Sequence, residues 1–366
     1  MATVGVKEIL SYLSLCGMIQ TNVPTVPRRL PEKFYKTQGE KVEGDAGRYT
    51  RFTSSRAPIS FNEYYAPSKA RDLRPVGQMD IKLFHAHEHL SFNGQVLEAM
   101  RNFTDYNLQE KGKDWVAKQM EDARTAVEIG EDLTALFVLC KGKVWQDSKG
   151  KMLPSSSGAF MTHDFGINQS TNVGTIGAVT GVTGSWSSPA TQIPLQLESL
   201  RIKAQQQHGY IPTTLLYGKN IPTMLAQNDF VSPFLSRNEK RNEGWLNGKF
   251  PSATYNLFDF DWYPIADAGF NDIATGVYQL PIGDNDLIAC PDPDNSWWDK
   301  LEGSYLVPSN LNVIQSMEGA VAALEKIYGR FAYSKLMDDP VQITAHYGNT
   351  WTYVIKNPDV VYQMTV

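Results

Sequence analysis

The stretch "KDWVAKQMEDARTAVEIGEDLTALFVLCKGK" constrains this chain more than any other. Val116, Met120, Ala123, Val127, Leu133 and Phe137 recur at three- to four-residue steps, and charged residues fill the positions between them. That period puts the apolar side chains on one stripe of an α-helix, because residues i, i+3 and i+4 share a face. From Asp114 to Cys140 the predicted helix is about 40 Å long at 1.5 Å per residue.

Upstream the period changes. "APISFNEYYA" and "MDIKLFHAHEHLSFN" both alternate apolar and polar residues, which is the signature of strands. Between them "PSKARDLRPVGQ" is bracketed by Pro67 and Pro75 and carries Lys69, Arg71 and Arg74. The pattern predicts a long two-stranded hairpin with a basic tip. Two strands alone are marginal in water, so such a hairpin is expected to rest on something else, a neighbouring subunit being the natural choice. Before it, residues 20 to 58 read as a basic arm. Pro24, Pro27 and Pro31 break any helix there, and Arg28, Arg29, Lys33, Lys36 and Lys41 supply the charge. An arm without periodicity has to lie along another surface.

Downstream, "KGKVWQDSKGKMLP" predicts a small hairpin turning at Ser148, Lys149 and Gly150. "NQSTNVGTIGAVTGVTGSWSSP" reads as a Gly-, Ser- and Thr-rich connector. A second unit begins near Ser188 with a serine-capped helix closed by Gly209. "YIPTTLLYG" follows as a strand, "NIPTMLAQNDFV" as a short helix, and "ATYNLFDFDWYPI", "TGVYQLP" and "NDLIACPDP" as strands. "SNLNVIQSMEGAVAALEKIYGRFA" reads as a last helix. "VQITAHYGNTWTYVIKNPDVVYQMTV" reads as two closing strands with a turn at Gly348 and Asn349.

The bulk numbers exclude several classes. A chain of 366 residues, 42% hydrophobic and 20% charged, can bury a large core or split into domains. A net charge of −5 offers no global basic field for nucleic acid. Three scattered cysteines without a CxxC pair argue against a disulfide framework and a thiolate zinc site. No apolar run approaches the roughly 20 residues of a membrane span. "ILSYLSLCGMI" has the look of a signal-peptide core, but Lys7 lies beside Glu8 and no small-x-small cleavage site follows. A short amphipathic helix is the plainer reading.

Catalytic motifs are missing from the sequence: no GxxxxGKS/T, HExxH, GxSxG, or GxGxxG after a strand. Asp292, Asp294 and Asp299 lack the glycine spacing of a calcium loop and read as solvated turns. One feature does suggest chemistry. In "KLFHAHEHL" the residues His85, His87 and His89 stand two apart, which turns all three rings to one face of a strand. Such spacing can hold a metal, and a metal-dependent enzyme using this strand is the alternative reading. A third ligand would have to come from His163, His208 or His346. Yet rings on one strand sit roughly 6.5–7 Å apart at the α-carbon and rarely converge on one ion. The expectation is a structural, metal-free strand with no cofactor, its rings packed on a neighbour.

Three stretches carry a resemblance: "LFVLCKGKVWQDSKGKMLP", "HGYIPTTLLYGKNIPTML" and "NPDVVYQMTV". With the order of elements around them, the chain resembles the major capsid proteins of tailed bacteriophages, of the Hong Kong phage-type fold and closest to lambda-like members. The resemblance implies an α+β fold with an N-terminal arm over 1–50 and an extended β-hairpin loop over 51–95. It further implies a peripheral domain with a spine helix over 96–187, an axial domain over 188–335, and C-terminal strands over 336–366 returning to the peripheral domain. It implies no enzyme but a protein that self-assembles, as pentamers and hexamers, into an icosahedral shell around double-stranded DNA without sequence-specific contacts. A portal, a separate scaffolding protein and a decoration protein are the implied partners, with assembly in the host cytoplasm. An encapsulin-like nanocompartment is the alternative within the same fold. On this reading Lys69, Arg71 and Arg74 dock on a neighbour's spine helix, where Glu121, Asp122, Glu128, Glu131 and Asp132 form an acidic patch.

Overall fold

The structure is a computed structural model that describes residues 30–36, 38–52, 76–92, 106–148, 150, 152–153, 155–233, 255–265, 270–271, 278–294, 296–308, 324–338 and 341–366. Strands β1 (Glu40–Val42), β2 (Ala46–Phe52), β3 (Val76–Lys82) and β4 (Phe84–Phe92) precede the long helix α1 (Tyr106–Lys141). A small sheet of β5 (Lys143–Gln146), β6 (Met152–Leu153) and β7 (Met161–Asp164) follows. Then come β8 (Val173–Thr175), α2 (Ile176–Thr180), α3 (Ile193–His208), β9 (Thr214–Tyr217) and α4 (Ile221–Gln227). The remaining strands are β10 (Tyr255–Leu257), β11 (Phe260–Pro264), β12 (Phe270–Asn271), β13 (Tyr278–Gln279), β14 (Asp286–Cys290) and β15 (Trp298–Pro308). β16 (Leu324–Tyr328), β17 (Arg330–Asp338), β18 (Val341–Ile355) and β19 (Tyr362–Thr365) close the chain.

The amphipathic stripe forms its helix and exceeds the predicted length. α1 has 36 residues, about 54 Å at 1.5 Å per residue. Val116, Met120, Ala123, Val127 and Phe137 are buried as the period requires. Leu133 is only half-buried. Thr134 is buried next to it, its hydroxyl satisfied by donating to the Gly130 carbonyl at 2.8 Å.

Two six-stranded sheets organise the rest. In the larger, β18 is the central strand: β4 runs antiparallel along one side, and β17 and then β15 along the other. β1 and β16 extend the sheet beyond β15. Alternation sorts the side chains of β18 between two environments. Tyr347, Asn349 and Trp351 face α1, while His346, Gly348 and Thr350 face away from it. The second sheet runs β10-β11-β9-β14-β19-β8. Ile193, Leu197, Leu200 and Ala204 of α3 pack on Leu215, Tyr217, Trp262, Tyr362 and Met364 of this sheet. No helix among the described residues is long and apolar enough to cross a membrane.

Several sequence expectations need correction. "MDIKLFHAHEHLSFN" is not one strand. It breaks at the buried Leu83, so that β3 pairs with β2 while β4 joins the large sheet. The strand opposite β3 is therefore residues 46–52, which had read as arm. "APISFNEYYA" and the hairpin tip lie outside the described residues, as do residues 1–29. The glycine-rich connector is partly ordered: Gly174 lies in β8, and Thr175 caps α2 by accepting from the Ala178 amide. Gly181, at φ 78°, ends that helix. No serine caps α3, since Gln192 precedes it without a side-chain bond, although Gly209 at φ 75° closes it as expected.

The expected last helix is strand where it is described. β16 pairs antiparallel with β15, and β17 with β18, so sheet partners override the helix-forming Ala, Leu and Glu of the sequence. The expected turn at Gly348 and Asn349 is absent, because β18 runs straight through both. Gly348 supplies room: a β-carbon there would strike the Ala86 carbonyl and come within 2.7 Å of the Phe331 ring. Sheet membership also cuts across sequence order. β15, β16 and β17, within or bordering the expected axial stretch 188–335, belong to the sheet on α1, and the closing stretch 336–366 divides between both sheets. Between β14 and β15 the chain passes Pro291 and Pro293, which end one strand and allow the crossing to the other sheet.

Candidate interface surfaces

The histidine strand takes its place through its alternation. Phe84 and Phe92 are buried, while His85, His87 and His89 are all exposed on the face away from α1. Across the β4–β18 register His346 stands opposite His89. The ring centroids form a row: His85 to His87 is 6.0 Å, His87 to His346 is 5.4 Å, and His346 to His89 is 5.4 Å. An aromatic bed supports them. His85 stacks on Tyr305 at 5.2 Å, Tyr305 on Phe331 at 4.1 Å, and His346 on Tyr333 at 4.7 Å.

Hydroxyls complete the row. His85 Nδ1 pairs with the Thr350 hydroxyl at 2.8 Å, His346 Nε2 with Thr344 at 3.2 Å, and His87 Nε2 with Tyr333 at 3.4 Å. Burial holds His85 and His87 below the ordinary histidine pKa, and the adjacent His87 and His89 push in the same direction. Asp45 opposes this at His85. Burial also raises the Tyr333 phenol to about 12. Of the distant candidates only His346 joins the row. His163 packs on Phe84 at 4.7 Å, and His208 lies by Tyr362 at 6.5 Å. Among the described residues no group of three or more His, Cys, Asp or Glu is arranged to hold a metal.

The opposite face of β18 carries permanent charge. Glu131 receives Arg330 through two bonds, Nε at 3.0 Å and Nη2 at 2.7 Å, the paired geometry that guanidinium and carboxylate favour. Asn349 Nδ2 donates to the same carboxylate at 2.5 Å, and Lys300 lies 3.5 Å away. Lys300 also pairs with Glu302 at 2.8 Å. Arg124 reaches Glu128 at 3.0 Å, one turn along α1, and Arg330 lies 3.5 Å from it. Burial pulls the Arg330 pKa down, but Glu131 and Glu128 more than reverse it. This network fastens α1 to β15, β17 and β18.

That finding corrects the expected acidic patch. Glu128 and Glu131 are buried and satisfied within their own chain, so neither is open to a neighbour. Asp132 is half-buried. Glu121 and Asp122 are the exposed carboxylates of that stretch. The basic residues meant to meet them, Lys69, Arg71 and Arg74, lie outside the described residues. The root of their hairpin is described and firmly held. Arg51 Nη2 donates to the Gly166 carbonyl at 2.6 Å, the Phe52 amide to the Lys356 carbonyl at 3.0 Å, and the Leu83 amide to Asp45 at 2.7 Å.

The arm's root is fixed in the same way. Phe34 is fully buried edge-on against Trp297 and Trp298, and Trp298 Nε1 donates to its carbonyl at 2.9 Å. Lys33 Nζ reaches Asp292 at 2.5 Å and the Thr214 hydroxyl at 2.9 Å. Thus Asp292 stays exposed, as expected, and also clamps the arm. Asp299, also expected in solvent, is buried and bound by Lys356 at 2.6 Å. Asp294 caps the Ser296 amide at 2.9 Å. The three carboxylates serve separate partners.

The sequence reading missed Arg330, Lys300 and Asn349 altogether. The alternation of Phe331 and Tyr333 after Arg330 was the available signal, and it is a strand signal inside a stretch read as helix.

A spine helix on a sheet, flanked by the β2–β3 ladder and joined to a second sheet that receives the C-terminus, defines a capsid-type α+β fold. A prophage protein of Escherichia coli CFT073 assigned as a capsid protein matches it at a TM-score of 0.51 and 11% identity, over 80% of this chain and 79% of that one. A structure from Mycobacterium phage Ogopogo matches at 0.43 and 11% identity, over 94% and 96% of the two chains. The encapsulin of Synechococcus elongatus matches at 0.41 and 11%, over 94% and 91%. No protein-family profile and no curated protein sequence matches the chain.

Proposed function

We propose that this chain is the major capsid protein of a tailed phage. Copies of it assemble as pentamers and hexamers into an icosahedral head that encloses double-stranded DNA. The observation that carries this reading is the fold shared with the prophage capsid protein over 80% of the chain. Two features of the chain support it. The root of the hairpin is bonded to two separate segments, at Gly166 and Lys356, and such an anchored base suits a contact with a second copy. A net charge of −5 suits a wall that must not grip its genome.

On this reading the large sheet with α1 is the peripheral part and the second sheet the axial part. The basic tip docks on the exposed Glu121 and Asp122 of a neighbour's spine helix. A separate scaffolding protein and a portal are the further partners, and assembly takes place in the host cytoplasm. The work is mechanical and needs no cofactor.

Sedimentation of the purified full chain tests the proposal. Particles of many copies are expected, and a stable monomer at every protein and salt concentration would contradict it. The Arg71→Glu/Arg74→Glu variant is expected to stay folded but to lose or distort the particles. Normal particles at normal yield from that variant would remove the tip contact from the account.

A further inference from the structure

We propose that β4 is an acid-released strand: protonation of the row formed by His85, His87, His89 and His346 loosens β4 from β18 and slackens its Leu83 link to the hairpin strand β3. Among the described residues β4 pairs with β18 alone, so one ladder holds it to the sheet. Leu83 is the single residue between β4 and the hairpin strand β3, so a change in β4 reaches the hairpin directly.

Chemistry supplies the trigger. Three successive ring contacts, at 6.0, 5.4 and 5.4 Å, join histidine only to histidine. Two of these contacts, His87 and His89 with His346, span β4 and β18. Charges this close lie inside the Debye length of about 8 Å at physiological salt, so solvent ions do not screen them apart. A neutral ring can accept from the Thr350 or Thr344 hydroxyl, whereas a protonated one can only donate.

Among the described residues, most of the groups that face the row in a printed contact are uncharged. β15 presents Tyr305, β17 presents Tyr333, and β18 presents Thr344 and Thr350. Asp45, from the turn before β2, acts on His85 at one end. Lys82, at the end of β3, is a further positive charge near that end of β4. Glu88 is on β4 itself but turns to the other face, where the Tyr347 hydroxyl donates to it at 2.7 Å. His85 and His87 have folded-state pKa values below the ordinary 6.5 or so, and the unfolded chain therefore takes up protons first. Stability from His85 and His87 is complete above about pH 6.5 and is lost as the pH falls through 6.5 towards their lower folded values.

The use of the device in moving the hairpin rests on the shell reading; the release of β4 does not. Hydrogen exchange of the full chain, corrected for intrinsic rates, tests it, with β14 of the second sheet as internal reference. From about pH 7.5 to about pH 5.5, β4 amides should lose roughly tenfold in protection relative to β14. The His87→Gln/His89→Gln/His346→Gln variant should keep the two in step. Should that variant not fold, His89→Gln alone should shift the β4 transition to lower pH. A wild-type β4 that follows β14 throughout, or variants that lose protection as the wild type does, would overturn the proposal. Light scattering at about pH 7.5 reports separately on particle formation. Its failure would remove the shell reading and leave the β4 result standing.

Discussion

The two faces of β18 solve the same problem with opposite chemistry. Towards α1 the strand presents Asn349 to a buried carboxylate that Arg330 and Lys300 already hold. Away from α1 it presents His346 to a row of rings cushioned on tyrosine and phenylalanine. One face is fixed by ion pairs that join arginine and lysine to buried glutamates. The other is held by stacking and by hydroxyl bonds whose strength depends on a proton. A single alternating strand therefore separates an ion-paired face from a ring-stacked one, and the spine helix lies on the ion-paired side.

Removing one member of the buried network should break this contrast most. Glu131→Ala leaves the Arg330 guanidinium and Lys300 ammonium without their shared carboxylate, and the expected loss is about 3–5 kcal/mol in urea unfolding. A loss under about 1 kcal/mol would mean that the network is incidental. On the other face Gly348→Ala should cost about 1–3 kcal/mol, since its methyl group displaces Phe331 and presses on β4. If that variant unfolded at the wild-type denaturant concentration, the aromatic bed would not depend on Gly348.

Acid should separate the faces further. Unfolding free energy should decline between about pH 7.5 and about pH 5.5 in the wild type and markedly less in the triple histidine variant, as measured by urea titration at each pH. Equal declines would assign the acid sensitivity to other groups. The smallest effect belongs to Arg48→Ala. Its pair with Asp80, at 2.6 Å across β2 and β3, is exposed on both sides and should be lost with no change beyond the error of the same titration.

What the sequence made legible follows from how local each signal is. The period of α1 and the two-residue spacing of the histidines are properties of a few neighbours, and both face where their periods put them. Partners are another matter. Nothing within "MEDARTAVEIGED" tells that Glu131 meets Arg330, 199 residues away, while Glu121 stays in solvent. Gly348 carries the local sign of a turn, yet its reason for being glycine is Phe331 on the adjacent strand. The break at Leu83 was equally hidden, because alternation continues on both sides of it and only the two different sheets reveal the change.

Whether copies of this chain close into a shell is read directly by negative-stain microscopy of the purified full chain. Uniform polyhedral particles, showing five- and sixfold clusters on class averaging, are the predicted result. A field of single subunits or irregular aggregates, from protein whose circular dichroism shows it folded, would contradict it.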